Sequence, residues 1–200
     1  MEHTSNGCET GGERRRPGFL AKFRRDTKGS VAIEFSMLIL PFALLTFAIL
    51  ESCISFAAQT VLTNAADDVA RQFRTGQLRA PNTAAEQEEL RKTVTAQICG
   101  RLEVIVSKGC DGLLIDLRTF ENFSDAAQYG FVIEKDKVVL TPGNITEPDF
   151  AIAPGPTMSR NMLRVFYKWP VVTDFMSRYM ANIDGKTLHF ASFVWQNEPF

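Results

Sequence analysis

Gly29-Ser30-Val31-Ala32-Ile33-Glu34-Phe35 opens the stretch that decides the fold, and the run Val31 to Leu50 completes it. One carboxylate, Glu34, sits near its start, and no further charge follows until Glu51. About 20 mostly apolar residues at 1.5 Å each cover about 30 Å, the thickness of a hydrocarbon layer. Phe35, Met37, Leu38, Phe42, Leu45 and Phe47 point in all directions around a helix. That is the pattern of a lipid-exposed span rather than of an amphipathic core helix. Pro41 lies inside the run and removes one backbone donor. A secretory signal peptide would have a shorter apolar region followed by a small-residue cleavage site. Here the apolar character continues through Ile54, Phe56, Val61 and Leu62, so the run reads as a retained anchor.

Charge around the span is lopsided. Arg14, Arg15, Arg16, Lys22, Arg24, Arg25 and Lys28 crowd the amino side, while Asp67, Asp68, Arg71 and Arg74 mix on the carboxyl side. The positive-inside bias then predicts a cytoplasmic leader, residues 1–29, and an external domain, residues 75–200. The net charge of −1 conceals this asymmetry. Beside a span, the run Arg14-Arg15-Arg16 reads as topogenic, and no nucleic-acid partner is expected.

Three segments together, Lys28-Gly29-Ser30-Val31-Ala32-Ile33-Glu34-Phe35, Leu38-Ile39-Leu40-Pro41-Phe42 and Ile49-Leu50-Glu51, carry a resemblance. It is to the TadE/TadG-like proteins of tight-adherence (Flp-type IV) pilus systems, and it covers roughly Asp26 to Arg74. Gly29 before a cut, Glu34 at the fifth position after it and Phe35 at the sixth also resemble the type IV prepilin processing pattern. The resemblance implies a pilin-like helix with a processing site at Gly29 and Ser30, cut by a prepilin peptidase on the cytoplasmic face. It also implies a single-pass protein of the bacterial inner membrane, with its amino terminus cytoplasmic and its carboxyl domain periplasmic. Partners would be other pilus or assembly-machinery subunits, with the protein either entering the fibre as a minor pilin or acting at its base. The long leader and the second carboxylate, Glu51, depart from the commonest pilin pattern.

The physics of the junction agrees. A cut after Gly29 would leave an amino group on Ser30, one helical turn from Glu34, and opposite charges that close attract strongly in a low dielectric. A neighbouring subunit's amino group would serve equally well and would set axial register, which makes Glu34 the candidate assembly carboxylate. In an uncut chain Glu34 reads as a solvated headgroup-level residue, and Glu51 as an interfacial one.

Beyond the span, Ser55 to Phe73 lacks Gly and Pro, and Ala58, Leu62, Ala65 and Val69 recur at helical spacing. One long helix over residues 30–74 is expected, half membrane-spanning and half amphipathic, stopped by Gly76. In the remaining 75–200 domain, Asn82 or Thr83 can cap a second helix, with Glu86 as the reciprocal partner of Thr83. Leu90, Val94 and Ile98 form its buried stripe. Strands are expected at Leu113–Phe120, Lys137–Leu140, Met162–Trp169 and Leu188–Trp195, with a loop over Thr141–Pro156 and a short helix over Val172–Met180. The fold class is α+β: the long helix, then a small, mainly antiparallel sheet with one or two packed helices.

Cys8 falls in the leader and Cys53 in the helix, whereas Cys99 and Cys110 share the outer domain, where an oxidising compartment lets them pair. Bridged Cα atoms must lie within about 7 Å, while an extended strand over 101–107 would hold its ends roughly 20 Å apart. A strand at Val104–Val106 is therefore disfavoured, and the second helix is expected to continue to about Val106. The cysteine spacing fits no metal site, and no metal or other cofactor is implied.

No P-loop, GxGxxG, GxSxG or HExxH pattern occurs, and His189 is the only histidine outside the tail. In a strand pattern it reads as structural. Asp111, Asp116, Glu121 and Asp125 read as loop and strand-edge charges. The expected function is non-enzymatic pilus assembly by helix packing and protein contacts. The alternative is a single-pass, membrane-anchored periplasmic binding or sensor domain.

Overall fold

A computed structural model describes residues 28–199. The expected basic leader lies outside the described residues up to residue 27. The chain divides into two units, Met1–Thr46 and Phe47–Phe200. Helix α1, Lys28–Arg74, runs uninterrupted through Pro41 and contributes to both. In the first unit its side chains are exposed nearly throughout, and the larger ones are apolar. Hydrocarbon offers no hydrogen-bond partners, so polar groups there must be met within the helix. Ser36 Oγ accordingly donates to the Ala32 carbonyl at 2.7 Å, and Thr46 Oγ1 to that of Phe42 at 2.9 Å. Among the described residues, α1 is the one helix long and apolar enough to cross a membrane.

In the second unit α1 buries one face: Ala58, Leu62, Ala65, Ala66, Val69, Ala70 and Phe73. The four alanines let neighbouring elements approach closely, while Leu62 and Phe73 fill the space between. The helix ends where Gly76, at φ 74°, turns the chain into the left-handed region. Gly76 N–H then meets the Phe73 carbonyl and Gln77 N–H that of Gln72, a Schellman closure.

Helix α2, Ala84–Leu102, starts at Thr83, whose hydroxyl accepts from Glu86 N–H at 3.2 Å. The return bond goes to Asn82 rather than to Thr83, since Glu86 Oε2 accepts from Asn82 N–H at 2.7 Å. Leu90, Val94, Ile98 and Leu102 form the buried stripe. The α-helix stops at Leu102, short of the expected Val106. Ile105 and Val106 both turn their N–H groups to the Leu102 carbonyl and pack at the edge of the core from this irregular turn, while Val104 is exposed. No strand forms at Val104–Val106 either. Cys99 and Cys110 are disulfide-bonded with Cα atoms 5.7 Å apart, and Glu103 Oε1 accepts from Gly109 N–H within the closed loop.

Strands β1 (Leu113–Phe120), β2 (Gly130–Glu134), β3 (Lys137–Thr141), β4 (Ile145–Thr146), β5 (Arg160–Pro170) and β6 (Lys186–Gln196) form two antiparallel sheets rather than one. Their orders are β1-β5-β6 and β2-β3-β4. Helix α3 (Phe123–Gln128) and β2 fill a stretch for which the sequence reading named no element, and helix α4 (Asp174–Met180) joins β5 to β6. The α+β class holds.

Central β5 explains the layering. Leu163, Val165, Tyr167 and Trp169 join the core shared with α1 and α2, whereas Phe166 on the opposite face joins Val138, Leu140 and Ile183. Both faces are covered, so nearly the whole strand is buried. Phe73 stacks on Trp195 of β6 at 6.4 Å, tying the end of α1 to the sheet. Gly112, just before β1, has φ 94°, and a Cβ there would meet the Lys168 Cβ at 3.1 Å. Only glycine brings the chain this close to β5.

Replacing both Cys99 and Cys110 by Ser should lower unfolding stability by about 2–3 kcal/mol, the loop-closure contribution of a bridge of this span. Denaturant titration of the detergent-solubilised chain, followed by tryptophan emission, measures it.

Candidate functional site

The first two turns of α1 hold the residues singled out at the junction. Gly29 and Ser30 open the helix, and Ser30 Oγ donates to Glu34 Oε1 at 3.0 Å across one turn. No acidic side chain lies in the first turn itself. The initial N–H groups of a helix lack intrahelical acceptors, so the positive end of the dipole there is not offset by a carboxylate of that turn. A Cβ added at Gly29 would meet nothing within 4 Å. Among the described residues nothing packs against this position, so their packing places no demand for glycine there.

Glu51, read from the sequence as an interfacial residue, is engaged with the folded chain in a way the sequence did not show. It is 8 % exposed, and its carboxylate accepts three hydrogen bonds from one segment of chain. Val172 N–H donates to Oε1 at 2.6 Å, Thr173 N–H to the same oxygen at 3.3 Å, and the Thr173 hydroxyl to Oε2. Thr173 Oγ1 in turn accepts from Met176 N–H at 3.4 Å, which caps α4. Glu51 thus ties α1 to the start of the β5–β6 connection. Two of its three donors are backbone groups.

One turn further along α1, Ser55 Oγ lies 3.1 Å from His189 Nε2 of β6. Both side chains are buried, and the imidazole also packs edge-on against Trp169 at 5.8 Å. A serine–histidine pair could suggest nucleophilic chemistry, but burial leaves a substrate carbonyl no approach. Burial disfavours the charged imidazolium and holds the His189 pKa below its ordinary value.

Asp116 also departs from its reading as a strand-edge charge. It is fully buried and directly opposite Arg164 in the β1–β5 register, with Arg164 Nη2 donating to Oδ2 at 2.7 Å. Arg118 Nε and Ala151 N–H donate to Oδ1 at 2.8 and 3.3 Å. The network faces the second sheet and is structural.

Cys99, Glu103 and Cys110 bring three possible metal-ligand atoms within 4.8 Å of one another. Both sulfurs are already committed to the disulfide, so the cluster cannot present thiolates to a metal. Cys53 is free and exposed. Cys8 lies outside the described residues.

The helix that carries Gly29, Glu34 and Glu51 is also where the chain meets known sequences. Residues 29–71 match the TadE-like protein family. The match begins at Gly29 and covers α1 almost to its end, including Glu51, Ser55 and most of the face that packs on the second unit. No curated protein and no solved structure matches the chain. The TadE-like segment associates the protein with Tad pilus assembly and with a membrane through a single apolar helix.

Two outcomes follow from this geometry. Glu51→Ala leaves the Val172 and Thr173 donors without their acceptor, and an unmet buried group costs about 1–3 kcal/mol. Hydrogen exchange at residues 172–176 should accelerate in this variant while α2 stays protected. For His189, the unfolded chain takes up a proton below about pH 6.5 that the folded chain resists. The contribution of a neutral His189 is therefore fully present above that pH and lost as pH falls through the lower folded pKa. Melting temperature should drop with acidification over this window, and His189→Gln should flatten that part of the profile.

Proposed function

We propose that the chain is a pilus assembly component or minor pilin-like subunit of a tight-adherence type IV pilus or secretion system. It sits in the bacterial inner membrane with residues 1–29 cytoplasmic and residues 75–200 periplasmic. The match of residues 29–71 to TadE-like proteins carries the reading. The lopsided charge around the apolar run supports the orientation.

Gly29 supports a processing event. The described residues leave open space around it, and a binding partner such as a prepilin peptidase would supply a demand for a small residue there. Cleavage after Gly29 would give Ser30 a free amino group, and Ser30 already reaches Glu34 through its side chain. Assembly then proceeds by lateral packing of the apolar helix, with Glu34 taking its own or a neighbour's amino group as counter-charge and fixing axial register. The residue 75–200 domain supplies contacts to other subunits. The mechanism involves packing and requires no catalysis by this chain.

Co-expression with the cognate prepilin peptidase should remove Met1–Gly29 and yield a chain beginning at Ser30, and Gly29→Leu should block this. Intact-mass spectrometry decides it. Full-length chain in both cases would sink the minor-pilin form and leave an unprocessed assembly factor at the fibre base.

A further inference from the structure

We propose that the segment over residues 171–180 rests on the bilayer as a lipid-facing foot of the second unit, seated in the interfacial layer where α1 leaves the hydrocarbon. The proposal rests on the reading of Val31–Leu50 as a membrane span. Glu51 follows directly on the last residue of that run, and Val172 N–H is bonded to its carboxylate at 2.6 Å. The foot is therefore held at the level along α1 where the apolar run ends.

Its own surface suits that position. Val172 is 81 % exposed and Tyr179 76 % exposed, unusual for two large side chains so close together in a folded unit. On α1, Phe47, Leu50 and Ile54 are also exposed, and with Trp169 and Val172 they line an open notch of about 250 Å³. The apolar lining thus continues from the end of the membrane run onto Val172. The Glu51 carboxylate at this level is turned inward and bonded to Val172 and Thr173. Tyrosine at headgroup depth with an exposed arginine, Arg178, beside it is the usual composition of a bilayer interface. Continuity with the span is what selects lipid as the occupant.

Site-specific probes in the full-length chain test this. In a Cys8→Ser, Cys53→Ser background, single cysteines at Val172→Cys and Tyr179→Cys carry an environment-sensitive fluorophore. Leu44→Cys reports the span and Gln77→Cys a site past the end of α1. Labelling is done without reductant, so that Cys99 and Cys110 stay paired. The chain is reconstituted into phosphatidylcholine vesicles containing lipids brominated high on the acyl chain, with iodide as the aqueous quencher. The probes at 172 and 179 should be blue-shifted and quenched by brominated lipid several times more strongly than the probe at 77. Quenching by iodide equal to that at 77 would overturn the proposal. Protection from both quenchers would overturn it too, and would assign the notch to a second copy of the chain. If the probe at 44 escapes lipid quenching, the span reading fails and the foot falls with it. If 44 is quenched while 172 and 179 are not, the foot alone is wrong.

Discussion

The second unit depends on the burial of one face of α1, from Ala58 to Phe73, against α2 and the sheet. Leu62, Ala66, Val69 and Phe73 are almost fully removed from solvent, and they meet Val94, Ile98 and Leu102 of α2 in the same cluster as Leu117, Leu163 and Val165 of the strands. At roughly 25 cal/mol per Å² of apolar surface, such side chains dominate what holds a small domain together. The disulfide works downstream of this packing. It closes the chain between the end of α2 and β1, two elements that α1 has already brought to one core. Because α1 is continuous through both units, the helix that enters the apolar layer is also the principal core element of the folded part.

A helix with two surroundings needs a point where they change, and Glu51 marks it. Before it, large apolar side chains face outward on every side. From Ser55 onward one face turns into protein. A carboxylate at such a boundary is tolerated only if its oxygens are met, and Glu51 recruits three donors from residues more than a hundred positions away in sequence. The same bonds fix which face of α1 the β5–β6 connection lies against. Ser55 and His189 repeat the arrangement one turn later, and Gln59 donates to the Phe190 carbonyl at 2.8 Å. Polar residues at 51, 55 and 59 thus form a stripe at helical spacing that holds α1 beside the chain around β6.

Periodicity made α1, the buried stripe of α2, and strands β1, β5 and β6 legible, because each pattern is local and long enough to read. The cap at Thr83 and the cysteine pair were legible for the same reason. Glu51 was not, because backbone N–H groups of Val172 and Thr173 leave no mark in a sequence. Asp116 was misjudged for a related reason. It alternates with Ile115 and Leu117, which reads as a polar face turned to water. In the fold that face is covered by the second sheet, so the charge is buried and needs Arg164 opposite it. Only the central strand of the covering sheet, β3, was legible, as the strand expected at Lys137–Leu140, because β2 is five residues long and β4 only two. Strands that short satisfy themselves through partners, and their own residues carry little signal.

Two classes of residue emerge along the same TadE-like segment. Glu51, Ser55, Ala58 and Leu62 are explained by the chain's own packing, so their presence says nothing about partners. Gly29 and Glu34 are not explained this way. Among the described residues Gly29 has no close neighbour, and Glu34 places an ionisable group next to an apolar run with the Ser30 hydroxyl bonded to it. Residues that the described packing does not call for are where an external requirement is most economically placed. Under the proposed reading the functional weight of the segment lies in its first two turns, while Glu51 and the residues after it are accounted for by the packing of the second unit.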